Sequence, residues 1–324
     1  MDNSIERNDN TSNLIEGMMK SKIFALLAYL LLAAPLSAYA QQKCGNTGIW
    51  LQVLGSGGPE INDKRASSGY LVWQEGRARI LVDMGPGSML RYEESGARIE
   101  DLEVILLSHL HVDHSADLPA LIKASYFTER TTDLPLYGPS GNALMPDTTT
   151  FVQALFSNPA GAYRYLSGYL TEGEAYRLLP HNVSASEMTV QQVMKGKDFN
   201  ITTAAVHHGP IPALAWRINI GGHAIAFSGD MNGDNHTLPI LASGANILVA
   251  HNAIPQDAKG AARDLHMPPS VIGEIAAEAK IKYLVLSHRM IRTLGREAET
   301  NAEIRKHYNG PLMFADDGQC FKVD

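Results

Sequence analysis

Only two cysteines, Cys44 and Cys320, occur in 324 residues. That excludes a thiolate-built zinc cluster and a disulfide-knit miniature scaffold, and leaves nitrogen and oxygen as the donors for any metal. Charged residues are few at 19% and apolar ones plentiful at 45%, which excludes a disordered chain. Basic residues are the scarcer sign, 27 Lys and Arg against 34 Asp and Glu, for a net charge of -7. Whole-surface attraction to nucleic acid or anionic membrane is therefore excluded. The apolar run at residues 23–34 is a dozen residues, short of the roughly 20 that cross a bilayer. Low-complexity linkers and strong internal repeats are also missing. Histidine, in contrast, occurs twelve times.

Lys20 and Lys22 precede that apolar run, and Ser37-Ala38-Tyr39-Ala40 follows it. This is the small-x-small pattern of a signal-peptidase site, and it predicts a signal peptide over 1–40, cleaved after Ala40. The lead over residues 1–17 is long and polar, so Met18 and Met19 stand beside Met1 as candidate starts. An uncleaved anchor is the alternative. The mature chain, 41–324, is then expected to be periplasmic or secreted. Cys44 and Cys320 bracket it and are expected to pair in an oxidising compartment, with two free thiols as the alternative.

Strand patterns fall at 49–54, 69–73, 79–82, 104–107, 134–137, 199–206, 215–220, 223–228, 247–250, 283–286 and 312–315, with Cys320 in a last strand. Helical patterns fall at 117–124, 143–157, 268–279 and 296–307. Interleaved strands and helices over this length fit a single α/β domain with both faces of a large sheet system covered.

The chemistry gathers at Ser108-His109-Leu110-His111-Val112-Asp113-His114, three histidines and an aspartate directly behind a buried strand. An ordinary solvated cluster is the plain reading, but a tight loop after a strand can turn all four side chains to one point. Alternation sends His109 and His111 one way and Asp113 and His114 toward a second point, the pattern for two metals. Two adjacent Zn²⁺ ions lower the pKa of a bridging water to about 7 and polarise the attacked centre. Manganese or iron are the other metals this donor set admits.

With these residues in place, the chain resembles the metallo-β-lactamase fold superfamily over nearly all of 41–324. Leu54-Gly55-Ser56-Gly57-Gly58-Pro59 is similar to the glycine turn after that family's first strand, and Asp83-Met84-Gly85 to its strand-ending aspartate and glycine. His208-Gly209-Pro210, Ser228-Gly229-Asp230 and Ser287-His288 resemble its later strand ends. The resemblance implies an α/β fold, an αββα sandwich of two mixed β-sheets flanked by helices. It implies one metal on His109, His111 and His208, a second on Asp113, His114 and His288, and Asp230 between them. Asp83 is expected to orient a metal-binding histidine by accepting its N–H, and His251 to stand beside the ligands. His207 and His208 alternate faces, so one alone is a ligand. The family's spacing to Trp216-Arg217-Ile218 favours His208.

Zinc β-lactamases typically lack the aspartate at Asp230, and flavodiiron oxidoreductases carry glutamate where this chain has His111. Leu136-Tyr137-Gly138-Pro139 and His266-Met267-Pro268-Pro269 resemble instead the ribonuclease Z, arylsulfatase and phosphodiesterase branch. That implies His266 beside the leaving group as proton donor; capping of the next helix is its alternative role. Two departures from ribonuclease Z stand out. Asn252 follows His251 where that family has an acidic residue, and only 21 residues separate His208 from Asp230, where that family commonly inserts a tRNA-gripping arm. Tyr163, Tyr165 and Tyr169 either wall the site or pack.

The expected function is a secreted or periplasmic dinuclear-zinc hydrolase of small-molecule phosphodiesters or sulfate esters. A metal-bridged hydroxide would attack, with Asp113, Asp230 and His266 catalytic. The alternatives are a lactone, β-lactam or thioester hydrolase, a ribonuclease Z-like nuclease, and a metal-binding scaffold without activity. The expected partner is a small-molecule ester, with no stable nucleic-acid partner, no membrane after signal cleavage, and a homodimer left open.

Overall fold

Runs of Val, Ile and Leu build the strands, and the connections between them sort the strands into two sheets. A computed structural model describes residues 44–324, so the expected signal peptide and its cleavage after Ala40 lie outside the described residues. Strands β1 (Ile49–Gly55), β2 (Gly69–Gln74) and β3 (Arg77–Met84) pair antiparallel. Strands β4 (Val104–Leu106), β5 (Leu134–Pro139) and β6 (Leu178–Val183) then add in parallel. The second sheet repeats the plan. Its strands β7 (Gln191–Lys195), β8 (Phe199–His208), β9 (Ile211–Ile220) and β10 (His223–Phe227) are antiparallel. Strands β11 (Ile247–His251), β12 (Tyr283–Ser287) and β13 (Leu312–Phe314) extend it in parallel. Finally β14 (Cys320–Val323) returns to pair with β1. Each sheet has seven strands, in the orders β14-β1-β2-β3-β4-β5-β6 and β13-β12-β11-β10-β9-β8-β7.

Strand side chains alternate between faces, and the central strands of both sheets are buried on both faces. Val53, Val72, Ile80 and Leu106 meet Leu214, Trp216, Ile225 and Val249 between the sheets. One residue out of phase, Leu71, Leu81 and Ile105 pack with Leu118, Leu121 and Ile122 of an outer helix. Ala226, Leu248 and Leu284 do the same with Ile272, Ala276 and Ile304 on the other outer face. This is the αββα sandwich the resemblance implies.

Some boundaries differ from the sequence patterns. The helix expected over 143–157 starts only at Thr148, because Asp147 caps it by accepting the Thr150 amide at 2.7 Å. Residues before it form a loop. The edge strands β6 and β7 and the short helices Ser88–Ser95, Thr237–Leu241 and Ala261–Leu265 give too little periodicity to read. Among the described residues, no helix is long and apolar enough to cross a membrane.

Because β14 runs along β1, Cys320 reaches Cys44, and the two are joined with their Cα atoms 5.6 Å apart. The bridge spans 276 residues of chain, and its loss frees much conformational entropy in the unfolded state. Replacing both cysteines by serine should lower the unfolding free energy by about 2–5 kcal/mol in a denaturant titration. An unchanged midpoint would show that the bridge does not constrain the fold.

Candidate metal centre

Strand ends deliver this site. Asp83 lies near the end of β3 with φ of 55°, a left-handed conformation uncommon without glycine. Its carboxylate accepts the Ser108 amide at 2.7 Å and the Ser108 hydroxyl at 2.8 Å, and its Oδ2 also accepts Nδ1–H of His114 at 2.8 Å. One carboxylate therefore fixes both ends of the His109–His114 loop. The loop closes as a short helix, Val112–Ser115, with the His114 amide donating to the His111 carbonyl. Gly85 makes room for it: a Cβ there would sit 2.0 Å from the Asp113 carbonyl oxygen.

A neutral imidazole has one N–H and one lone pair, so anchoring one nitrogen on a protein acceptor aims the other at a metal. His114 is anchored by Asp83, and its buried Nε2 has no hydrogen-bond partner. His208, the last residue of β8, is anchored by the Leu265 carbonyl at 2.8 Å. Its Nε2 lies 3.4 Å from His111 Nδ1, which is 3.0 Å from His109 Nε2. His288 follows β12, also left-handed at φ 52°, and its Nε2 stands 3.1 Å from Asp113 Oδ2 and 3.4 Å from Asp230 Oδ1.

Donor atoms converge in three overlapping sets: His109, His111 and His208; His114, Asp230, His251 and His288; and His208, Asp230 and His266. Within each set the atoms lie within 4.8 Å of one another. Asp230 belongs to two of them, the place of a bridging group. Asp113 falls outside these sets although it touches His288. His251 falls inside, yet both its nitrogens are taken: Nδ1 is 2.7 Å from Asp230 Oδ1, and Nε2 is 3.1 Å from the Tyr70 hydroxyl. It therefore holds Asp230 in place. The Tyr70 hydroxyl, 2.9 Å from Ser287 Oγ, extends this chain of contacts. Tyr70 lies in a buried strand with no motif to mark it among the other core residues.

The electrostatics suit cations. Burial works against charge on Asp230, but His288, His266 and His114 outweigh it and hold the carboxyl well below its usual range. Asp113 is held low in the same way by His114 and His288. Burial pulls His109, His111 and His208 down. It also opposes charge on His114 and His288, where nearby Asp113 and Asp230 override it and raise both. Ionised carboxylates, neutral imidazoles and exchangeable imidazolium protons make a site that a cation can enter by displacing protons. The residues present fit a pair of metal ions.

His266 does not cap the helix that follows, whose N-cap is Pro268. It ends the short helix Ala261–Leu265, with Nδ1 3.8 Å from Asp230 Oδ2 and no hydrogen-bond partner. Burial, with help from His288, drives it down to about 3. His207 faces away from the cluster, toward Asn232 and Asp234. The tyrosines are packing and surface: Tyr169 packs at a tilt against Tyr176, which meets Ser125 in an outer helix, and the Lys123 ammonium lies over the Tyr165 ring.

Residues 78–289 match the family described as the Beta-lactamase superfamily domain. The chain belongs to the β-lactamase superfamily. Ribonuclease Z of Mycobacterium sp. (strain KMS) is 30% identical over 281 residues, covering 83% of this chain and 94% of that one. Among solved structures, the metallo-β-lactamase fold protein YhfI of Bacillus subtilis superposes with a TM-score of 0.66 at 23% identity, covering 84% of this chain and 98% of that one. The short form of human tRNase Z does so with a TM-score of 0.63 at 19% identity, covering 85% and 99%. The resemblance seen in the motifs is thus shown, and as a superfamily member the chain is a metal-dependent hydrolase.

Asp83→Asn keeps a residue that tolerates left-handed backbone but weakens the grip on His114 and Ser108. The variant should fold and lose roughly 10- to 100-fold in metal affinity by competitive chelator titration. Gly85→Ala should displace the Asp113 backbone and reduce both metal content and melting temperature; normal values for both would remove the close approach as a constraint.

Proposed function

We propose that this chain hydrolyses phosphodiester bonds at a two-metal centre of the ribonuclease Z kind. The observation that carries the reading is the convergence of two imidazole-rich donor sets on one shared carboxylate, Asp230, with His266 beside it. His109, His111 and His208 would hold one metal, His114, His288 and Asp113 the other, and Asp230 both. Bound there, the metals supply an activated water and positive charge for the attacked phosphoryl group. The ribonuclease Z relatives, matched over nearly their full length, favour phosphodiesters over sulfate esters and carbonyl substrates.

The chain's own groups handle orientation and protons. His251 donates to Asp230 and keeps its carboxylate ionised and aimed. Tyr70 backs His251, and burial pushes its hydroxyl up so that it stays protonated. His266 starts as a neutral ring; an anionic ester beside it raises its proton affinity, so that it would take up a proton from solvent as the substrate binds and pass that proton to the leaving oxygen.

A second reading, small-molecule phosphodiesters in place of RNA ends, is favoured by one observation. Between His208 and Asp230 the chain forms only β9, β10 and two tight turns, Gly209-Pro210 and Gly221-Gly222, with no room for an arm. Secretion or a periplasmic location is proposed on the 1–40 signal pattern alone. Zinc-loaded protein should be assayed on bis(p-nitrophenyl) phosphate, a precursor tRNA with a 3′ extension, an aryl sulfate, a lactone and a β-lactam. Phosphodiester turnover is expected, and turnover confined to the sulfate or carbonyl substrates contradicts the proposal. Cleavage of the tRNA decides between the two readings.

Asp230→Asn should fold, lose one metal or bind both weakly, and drop in rate by about 10² or more. His266→Ala should keep its metals and lose most on substrates with poor leaving groups, which need a proton most. A leaving-group dependence unchanged from the parent would remove His266 from proton transfer.

A further inference from the structure

The loop that carries the metal motif is buried except at one place. His109 and His114 are fully buried and Asp113 nearly so, yet Val112, between His111 and Asp113, is 69% exposed. A lone exposed valine means little. Here other apolar residues flank the same pair of histidines, His111 and His208. Leu110, two residues earlier, closes against Pro139, Met145, Pro146, Ile211 and Pro212. Ile211 pairs with His208 across the turn that ends β8. Asn142 pins the loop before the Thr148 helix: its Oδ1 accepts the amides of Leu144 and Met145 at 2.9 Å, and its Nδ2 donates to the Pro210 carbonyl at 2.8 Å. Leu144 is thereby held 62% exposed on the His111 and His208 side of the centre.

The loops on this side carry no cation of their own: residues 109–117, 138–149 and 207–216 contain no lysine or arginine, and Arg263, beside His207, is engaged by the Asn232 carbonyl and Asp234. The other side is charged. There Arg292 donates to the Ala253 carbonyl at 2.7 Å, two residues past His251, and Glu60 accepts the Ile291 amide at 2.5 Å. A polyanionic strand gains nothing from the apolar side, whereas an uncharged ring or alkyl chain does.

We propose that Val112, Leu144 and Ile211 form a subsite for an uncharged aryl or alkyl group attached directly to the scissile phosphoryl group, so that the preferred substrate is a small, singly charged phosphodiester with one apolar arm. The inference rests on the phosphodiester reading above and deepens it. Because the loop is pinned before any ligand arrives, little ordering opposes binding.

The test measures binding as well as turnover. Calorimetric titration of the zinc-loaded full chain with phenylphosphonate and methylphosphonate should show the phenyl compound bound about tenfold or more tightly. Val112→Ser and Leu144→Ser should each move that ratio toward unity while zinc content stays at the parent value. Equal affinities in the parent, binding of neither compound, or a ratio retained in both variants overturns the subsite. In hydrolysis, phenyl p-nitrophenyl phosphate should exceed methyl p-nitrophenyl phosphate in kcat/KM, and the same variants should erase the preference. Turnover of neither ester sinks the phosphodiester reading, while the phosphonate ratio still decides the subsite.

Discussion

Across the seam between the two sheets, the Leu214 amide donates to the Ser108 carbonyl at 2.9 Å and the Trp216 indole to the Leu107 carbonyl at 3.2 Å. On the other flank the Leu107 amide donates to Tyr137 of β5, and Asp83 of β3 takes the Ser108 amide. Leu107 and Ser108 are thus held by strands from both sheets just where the chain leaves β4 for the histidine loop. Trp216 is fully buried, so the clamp works in a dry environment where each hydrogen bond is hard to exchange for water. A shift between the sheets would move His109 against His208, and the donor sets would no longer converge.

That clamp matters because the centre is costly without cations. Imidazoles and carboxylates are packed into a region with almost no solvent, where an isolated charge is strongly disfavoured. The rings of His114 and His208 donate to Asp83 and to the Leu265 carbonyl, and the Tyr70 hydroxyl meets His251, which fixes the ring orientations. The carboxylates of Asp113 and Asp230 set which histidines keep protons. The left-handed backbone of Asp83 and His288 is the same trade at smaller scale, local strain held at a site by the surrounding fold.

Much of this was legible in the sequence. The dense His109 to His114 run, the strand-closing His208, Asp230 and His288, and the strand-and-helix alternation pointed to the fold and to a metal centre because they depend on local pattern. Other features depend on tertiary contact. Whether His207 or His208 turns inward hinges on the pleat of β8, and the support of Asp230 by His251 and Tyr70 joins residues far apart in the chain. The tyrosines of 158–179 read equally as a wall for the site or as packing, and the choice depends on tertiary contact: Tyr169 and Tyr176 are buried against each other, with Tyr176 on Ser125. The loop before Thr148 read as helix because its small and apolar residues fit that period, until Asp147 and the Asn142 turn claimed the backbone. The Cys44–Cys320 pair is expected from the compartment argument, but the adjacency that allows it depends on β14 lying along β1.

Two metal ions per chain are what the converging donor sets call for. Metal analysis of the purified protein, first without added metal and then after dialysis against zinc, measures this most directly. About two equivalents per chain are expected under zinc-replete conditions, because each donor set offers three or more converging ligands. Fewer than about 1.5 equivalents would contradict the dinuclear centre.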